Sequence, residues 1–249
     1  MSNIQDRELW SFLSEKSRFI ETTIDTLARK RTGSYYTDLQ LTDAMMGELV
    51  ENLKKSNKRI VEYRFFEPCV GTGNFVFSYI RAVKDTGIDN EEAVILLNNI
   101  YVADVNKEAL AGYKELLKRL TSLYWNIELS DTYFSEHMGT GLLVDVTAAT
   151  LEYISINDVF PAEVVKDGFD IVATNPPFKN LKAERNQYSS EEEYDHDKGK
   201  YSAISQIVSK RFHYSTDGVL NLYKLFVEEI IDRYANKDCL LYTSDAADD

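Results

Sequence analysis

Over the first part of the chain, Leu9, Phe12, Leu13, Phe19, Ile20, Ile24 and Leu27 recur at close to helical spacing and predict a helix within 5–30. Arg31 to Thr37, with Gly33, Tyr35 and Tyr36, breaks that pattern. Thr37-Asp38 can cap a second helix, roughly 38–55, with Leu41, Met45, Leu49 and Leu53 along it. A strand over about Val61–Phe66 runs into the loop Pro68–Gly73, and Phe75, Val76, Tyr79, Ile80 and Val83 then mark one helix face. Asp89 to Asn98 reads as a short additional helix.

Ile100–Ala103 is a second strand, stopped by Asp104. Asn106 caps the next helix, with Leu110, Tyr113, Leu116, Leu117 and Leu120 facing inward. Gly141–Val144 is a weaker third strand ending at Asp145, and Phe169–Thr174 is a fourth ending at Asn175. Residues 179–218 are polar and read as a long loop with at most one helix, about 201–210. Leu220 to Tyr234 returns to a helical pattern. Strand and helix alternate, and each strand ends in a loop with polar residues. That is the layout of a doubly wound α/β sheet, where ligands collect at the carboxyl ends of strands.

Composition changes this picture only in part. No run of eighteen apolar residues is present, so no membrane span is expected. Met1 to Asp6 lacks the layout of a secretory signal. Cys69 and Cys239 are too few for a disulfide framework or a zinc site, so a reducing, cytoplasmic setting and no metal are expected. The net charge of −13 opposes a nucleic-acid partner at first sight. It is unevenly spread, however: residues 1–64 carry 11 basic and 10 acidic side chains and are almost neutral. Arg29-Lys30-Arg31 precedes Gly33, and Lys179, Lys182 and Arg185 follow Phe178, so both clusters flank candidate site segments.

Three segments carry the chemistry. Glu67-Pro68-Cys69-Val70-Gly71-Thr72-Gly73-Asn74-Phe75 joins a strand to a helix. Its glycines let the backbone turn tightly near a ligand. A dinucleotide loop would want a third glycine where Asn74 and Phe75 stand, and Glu67 suits an ammonium group better than a pyrophosphate. Asp104 can accept from both hydroxyls of a ribose, and Asp145 can hold an exocyclic adenine amine. Asn175-Pro176-Pro177-Phe178 is the most specific element. The side-chain oxygen of Asn175 and the carbonyl of Pro176 can each accept one hydrogen of a planar amine such as N6 of adenine. That draws the nitrogen toward tetrahedral geometry and frees its lone pair. The prolines fix φ and so place the acceptors, and Phe178 offers a ring on which an extruded base can stack.

Together these segments resemble the amino-methyltransferases of bacterial restriction–modification systems in the γ order. There a G-x-Y-Y-T segment (Gly33, Tyr35, Tyr36, Thr37) comes first, the cofactor loop second and N-P-P-F third. Asn221-Leu-Tyr-Lys-Leu-Phe226 looks like the helix that follows the catalytic loop in the type IIG-like branch. Asp38 stands where the family commonly has proline. The resemblance implies a class I S-adenosylmethionine-dependent, Rossmann-like methyltransferase sheet with an N-terminal helical segment, acting on N6 of adenine in double-stranded DNA. The cofactor would lie over Gly33, Tyr35, Tyr36, Thr37, Glu67, Pro68, Cys69, Gly71, Gly73, Asn74, Phe75, Asp104, Asp145 and Asn175. A separate nuclease or specificity component would be a further partner. Alternative readings are an enzyme of the same fold acting on RNA or a protein glutamine, and an inactive cofactor-binding remnant.

The expected organisation is a helical segment over 1–58, a catalytic domain over 59–238 with an incomplete sheet, and a tail over 239–249. The first ten residues of that tail match the translated end of a transposase-based sequencing adapter, so a non-native ending is expected, with the natural protein continuing past Asp238. A piece lacking its DNA-reading half is expected to methylate poorly or not at all.

Overall fold

The computed structural model describes residues 3–23, 37–141, 143–144 and 160–243. Among them five strands form one parallel sheet: β1 (Phe65–Glu67), β2 (Ile100–Asp104), β3 (Met138–Thr140), β4 (Phe169–Thr174) and β5 (Ala235–Thr243). Their spatial order is β3-β2-β1-β4-β5, so the direction of winding reverses between β1 and β4. The register sets Phe65 against both Ile100 and Ile171, and Phe66 against both Tyr101 and Val172.

Because a parallel sheet is covered on both faces, its strands are apolar at successive positions. Phe65, Ile100, Val102, Ile171 and Ala173 face one core, whereas Phe66, Ala103, Phe169 and Val172 face a second. The first core is closed by α1 (Asn3–Thr23), α2 (Leu39–Leu53), α3 (Asn74–Lys84), α4 (Asn90–Asn98), α5 (Lys107–Trp125) and α6 (Asp131–His137). After the short α7 (Ala162–Val165), the second core is closed by α8 (Glu191–Arg211), α9 (Leu222–Glu229) and a π-helical turn, Ile230–Tyr234. Phe66 stacks on Phe169 at 4.8 Å between ring centroids and lies 5.9 Å from Tyr234, which ties the central strands to that turn.

Capping follows the sequence closely. Asp38 accepts from the amide of Gln40, Asp89 and Glu92 form a capping box, and Asn106 accepts from the amides of Glu108 and Ala109. Four expectations are corrected. The first strand spans Phe65–Glu67, and Ile60–Glu62 is a 3-10 turn, because only the later residues lie opposite β2 and β4. The third strand is Met138–Thr140, not Gly141–Val144; Leu143 and Val144 are apolar because they are buried in the second core. The polar stretch holds a 21-residue helix, α8, capped by Ser190. The last helix starts at Leu222, since Leu220 and Leu222 pair with Leu181 and Lys179. Part of the expected tail, Cys239–Thr243, lies within β5 alongside β4.

Candidate active site

The loop after β1 and the loop after β4 leave the sheet side by side, on either side of the point where the strand order reverses. In open α/β sheets this crevice is where ligands bind. Val70 donates its amide to the carbonyl of Ala103 at 2.9 Å, which fastens the β1 loop to the end of β2. The Gly71 amide donates to Oδ2 of Asp104 at 2.8 Å, and the Asn106 amide donates to Oδ1 at 2.8 Å. Asp104 therefore shapes the glycine loop as well as ending its strand. Burial raises its carboxyl, and these amides oppose the rise.

Gly71 and Gly73 both have positive φ, 51° and 93°. A Cβ at Gly73 would meet the Tyr113 ring at 2.6 Å and the Phe77 ring at 2.8 Å, so the glycine is required by packing as well as by conformation. Phe75, next along, is buried in the first core. Glu67 is 2% exposed, and its Oε2 makes no hydrogen bond among the described residues. Burial, with the charge of Asp104 nearby, pushes its carboxyl well above the usual carboxylate range, against one backbone hydrogen bond from Val76. Cys69 lies beside the hydroxyl of Thr174, and burial pushes its thiol up as well.

The first core contributes a brace. Asn74 Nδ2 donates to the carbonyl of Thr37 at 2.7 Å and to the Ser17 hydroxyl at 3.1 Å, and Ser17 meets the Thr72 hydroxyl at 2.9 Å. Thr37, the last residue of the upstream G-x-Y-Y-T segment, is thus held against the glycine loop. A polar cavity of about 220 Å³ opens at this junction, lined by Ser14, Ser17, Arg18, Thr37, Asp38 and Asn74 among others. Gly33, Tyr35, Tyr36 and Asp145 lie outside the described residues, as does Arg29-Lys30-Arg31.

Asn175 stands at the carboxyl end of β4 with its side-chain oxygen buried, and Pro176 and Pro177 are buried behind it. Phe178 is half-buried, and its ring lies flat on Tyr223, with centroids 4.8 Å apart and planes 13° apart. Just past it, Lys179–Leu181 runs antiparallel to Leu220–Leu222. Leu181 donates to the Leu220 carbonyl at 2.8 Å, Leu222 donates to the Lys179 carbonyl at 2.9 Å, and the Asn221 and Asn180 side chains meet at 2.9 Å. Asn221 also caps α9. Of the basic cluster after Phe178, Arg185 is engaged by Glu191 at 2.8 Å, while Lys182 is exposed. Sequence reasoning missed Ser17 and Asn180 and named Tyr223 only within the helix after the catalytic loop, because their contacts depend on partners distant along the chain. An Asn directly before an amphipathic run was a readable cap signal for Asn221.

Among the described residues no cluster of metal-ligating side chains occurs, and no helix is long and apolar enough to cross a membrane. The family model described as N-6 DNA Methylase matches residues 18–208. Two solved structures share the fold. A cryoEM structure of a DrdV–DNA complex aligns with TM-score 0.57 and 15% identity, covering 88% of this chain and 22% of that one. The ATP-dependent Type ISP restriction-modification enzyme LlaBIII bound to DNA aligns with TM-score 0.54 and 17% identity, covering 89% of this chain and 16% of that one. This chain therefore spans less than two thirds of either. No curated protein matches it.

Proposed function

This chain belongs to the N-6 DNA methylase family, and from that premise we propose that it transfers a methyl group from S-adenosylmethionine to N6 of an adenine extruded from double-stranded DNA. The observation that carries the reading is the placement of Asn175-Pro-Pro-Phe178 beside the Glu67–Gly73 loop at the switch point of the sheet. The finer reading is a γ-class enzyme of the type IIG-like branch, working in the cytoplasm within a restriction–modification system that includes a nuclease or specificity component. The DNA present in both structural neighbours accords with a duplex partner.

The residues suit the cofactor. A carboxyl buried without a hydrogen bond at Oε2 is costly unless a donor arrives, and the ammonium group of the methionine moiety is such a donor. Asp104, at the end of β2, has the place of a ribose acceptor. Thr37 and Asn74 close the methionine end, with Gly33, Tyr35 and Tyr36 contributing from upstream and Asp145 holding the cofactor adenine. When bound, S-adenosylmethionine supplies an electrophilic methyl group. The chain's own part is to prepare the nucleophile. Oδ1 of Asn175 and the carbonyl of Pro176 accept the two hydrogens of the target amine, holding it with its lone pair out of conjugation. Phe178 stacks on the base and offsets part of the unpairing cost.

The reading is tested by incubating excess chain with tritiated S-adenosylmethionine and unmethylated genomic DNA, then digesting the DNA to nucleosides. Label in N6-methyldeoxyadenosine is expected, at low turnover. Label confined to cytosine would contradict it.

A further inference from the structure

Two prolines fix the backbone at 176 and 177, but they leave the side chain of Phe178 free to rotate about its own torsions. A half-exposed ring at the end of such a loop would sample several rotamers and offer a poor platform for a base. In the structure it does not stand alone, since one face lies parallel to Tyr223 at 4.8 Å. We infer that Tyr223 is a positioning residue that holds the Phe178 ring as a fixed shelf, so that the target base adds to the outer face of a ring pair already in place. The inference rests on the methyltransferase reading above and specifies how its base-binding site is built.

Tyr223 is well placed for this role because its own backbone is fixed. Its amide donates to Oδ1 of the capping Asn221 at 2.8 Å, and the preceding Leu222 is 3% exposed in the second core. The antiparallel clip between Lys179–Leu181 and Leu220–Leu222 sets the spacing of the two rings from the far side. Shelf and support thus come from segments more than forty residues apart that are joined by main-chain hydrogen bonds. Phe178 is only partly buried and one of its faces is taken by Tyr223, so the opposite face is the one proposed for stacking. The order is Tyr223, Phe178, base, with the base on the outside.

The test uses the full chain and a single-stranded dodecamer of adenines containing one 2-aminopurine, which removes the cost of opening a duplex. Dissociation constants are read from fluorescence for the wild type, Tyr223→Phe, Tyr223→Leu, Phe178→Leu and the Tyr223→Leu/Phe178→Leu double variant. S-adenosylmethionine affinity is measured in parallel by calorimetry. Tyr223→Phe should bind the oligonucleotide as the wild type does. Tyr223→Leu should weaken it by roughly 2- to 10-fold, the range expected for loss of one aromatic pair, with cofactor affinity unchanged. The double variant should bind no more weakly than Phe178→Leu alone, because Tyr223 acts only through that ring. Additive losses, an unaffected Tyr223→Leu, or a Tyr223→Leu that also loses the cofactor would overturn the inference while leaving the methyltransferase reading in place. A wild-type chain that gives no 2-aminopurine response while Phe178→Leu behaves identically would overturn both.

Discussion

Asn74 Nδ2 donates to the carbonyl of Thr37 at 2.7 Å, a bond that joins two segments 37 residues apart in sequence. One is the first residue of α3, immediately after the glycine loop. The other ends the upstream segment and precedes the cap of α2. The bond holds Thr37, where the upstream segment ends, against the start of α3 just after the glycine loop.

Replacing Asn74 by Ala removes this bond and the one to Ser17 in a buried setting. A loss of about 1–3 kcal/mol in unfolding free energy is expected, visible as a lower midpoint in urea without a change of slope. Cofactor affinity should fall with it. Asn74→Asp should do no better, because a carboxylate cannot donate to the Thr37 carbonyl.

Glu67 gives a prediction in which stability and binding move in opposite directions. Burial and the neighbouring Asp104 raise its carboxyl well above 4.5 in the folded protein. Between that ordinary value and the raised one, the folded state holds more protons than the unfolded state. Its contribution to stability is therefore complete at low pH and is lost as pH rises through the folded value. Glu67→Gln should be at least as stable as the wild type at neutral pH and should flatten that decline. Losing a charged acceptor for the ammonium group should weaken cofactor binding by roughly 10- to 100-fold. Calorimetry and thermal melts across pH measure both effects.

Glu228 behaves in the opposite sense. Its carboxylate accepts the amides of His213 at 2.5 Å, of Tyr214 at 3.2 Å and of Ser215 at 2.7 Å, bracing the loop that leads into α9. Burial pushes the group up, but the Ser215 hydroxyl together with these amides outweighs it and leaves the carboxyl below its ordinary value. Its contribution is thus present above the unfolded value and lost as pH falls through the folded one. Glu228→Ala should cost roughly 2–4 kcal/mol by leaving several amides without acceptors. The deficit should shrink in acid, as denaturation at several pH values would show.

Much of this architecture was legible in the sequence because the strongest signals are local. The apolar run Phe169–Thr174, the caps Asp38, Asp89 and Asn106, and the glycine loop each declare their element within a few residues. What escaped notice depends on distant partners. In α8 only Ile204 and Val208 are buried, so almost no apolar stripe marks its 21 residues. Its legible signals were Ser190 ahead of Glu191-Glu192-Glu193 and the basic pair Lys210-Arg211 at its end. β3 was misplaced because Leu143 and Val144 are buried for tertiary reasons just beyond it. In the site, Asn175, Phe178, Glu67 and Asp104 could be named from sequence and are brought to one end of the sheet. The Tyr223 shelf and the Ser17 brace could not be named, since nothing near either residue announces its partner.

Asn175, although it borders the expected cofactor site, is proposed to act chiefly by preparing an adenine amine for methyl transfer, with the cofactor held mainly by other residues. The direct measurement compares wild type with Asn175→Ala for methyl transfer to DNA, read as N6-methyldeoxyadenosine by mass spectrometry, alongside S-adenosylmethionine affinity by calorimetry. Removing one preorganised acceptor should lower the transfer rate by roughly 100- to 1000-fold, with the cofactor dissociation constant nearly unchanged. Undiminished N6-methyladenine formation by Asn175→Ala would contradict the account.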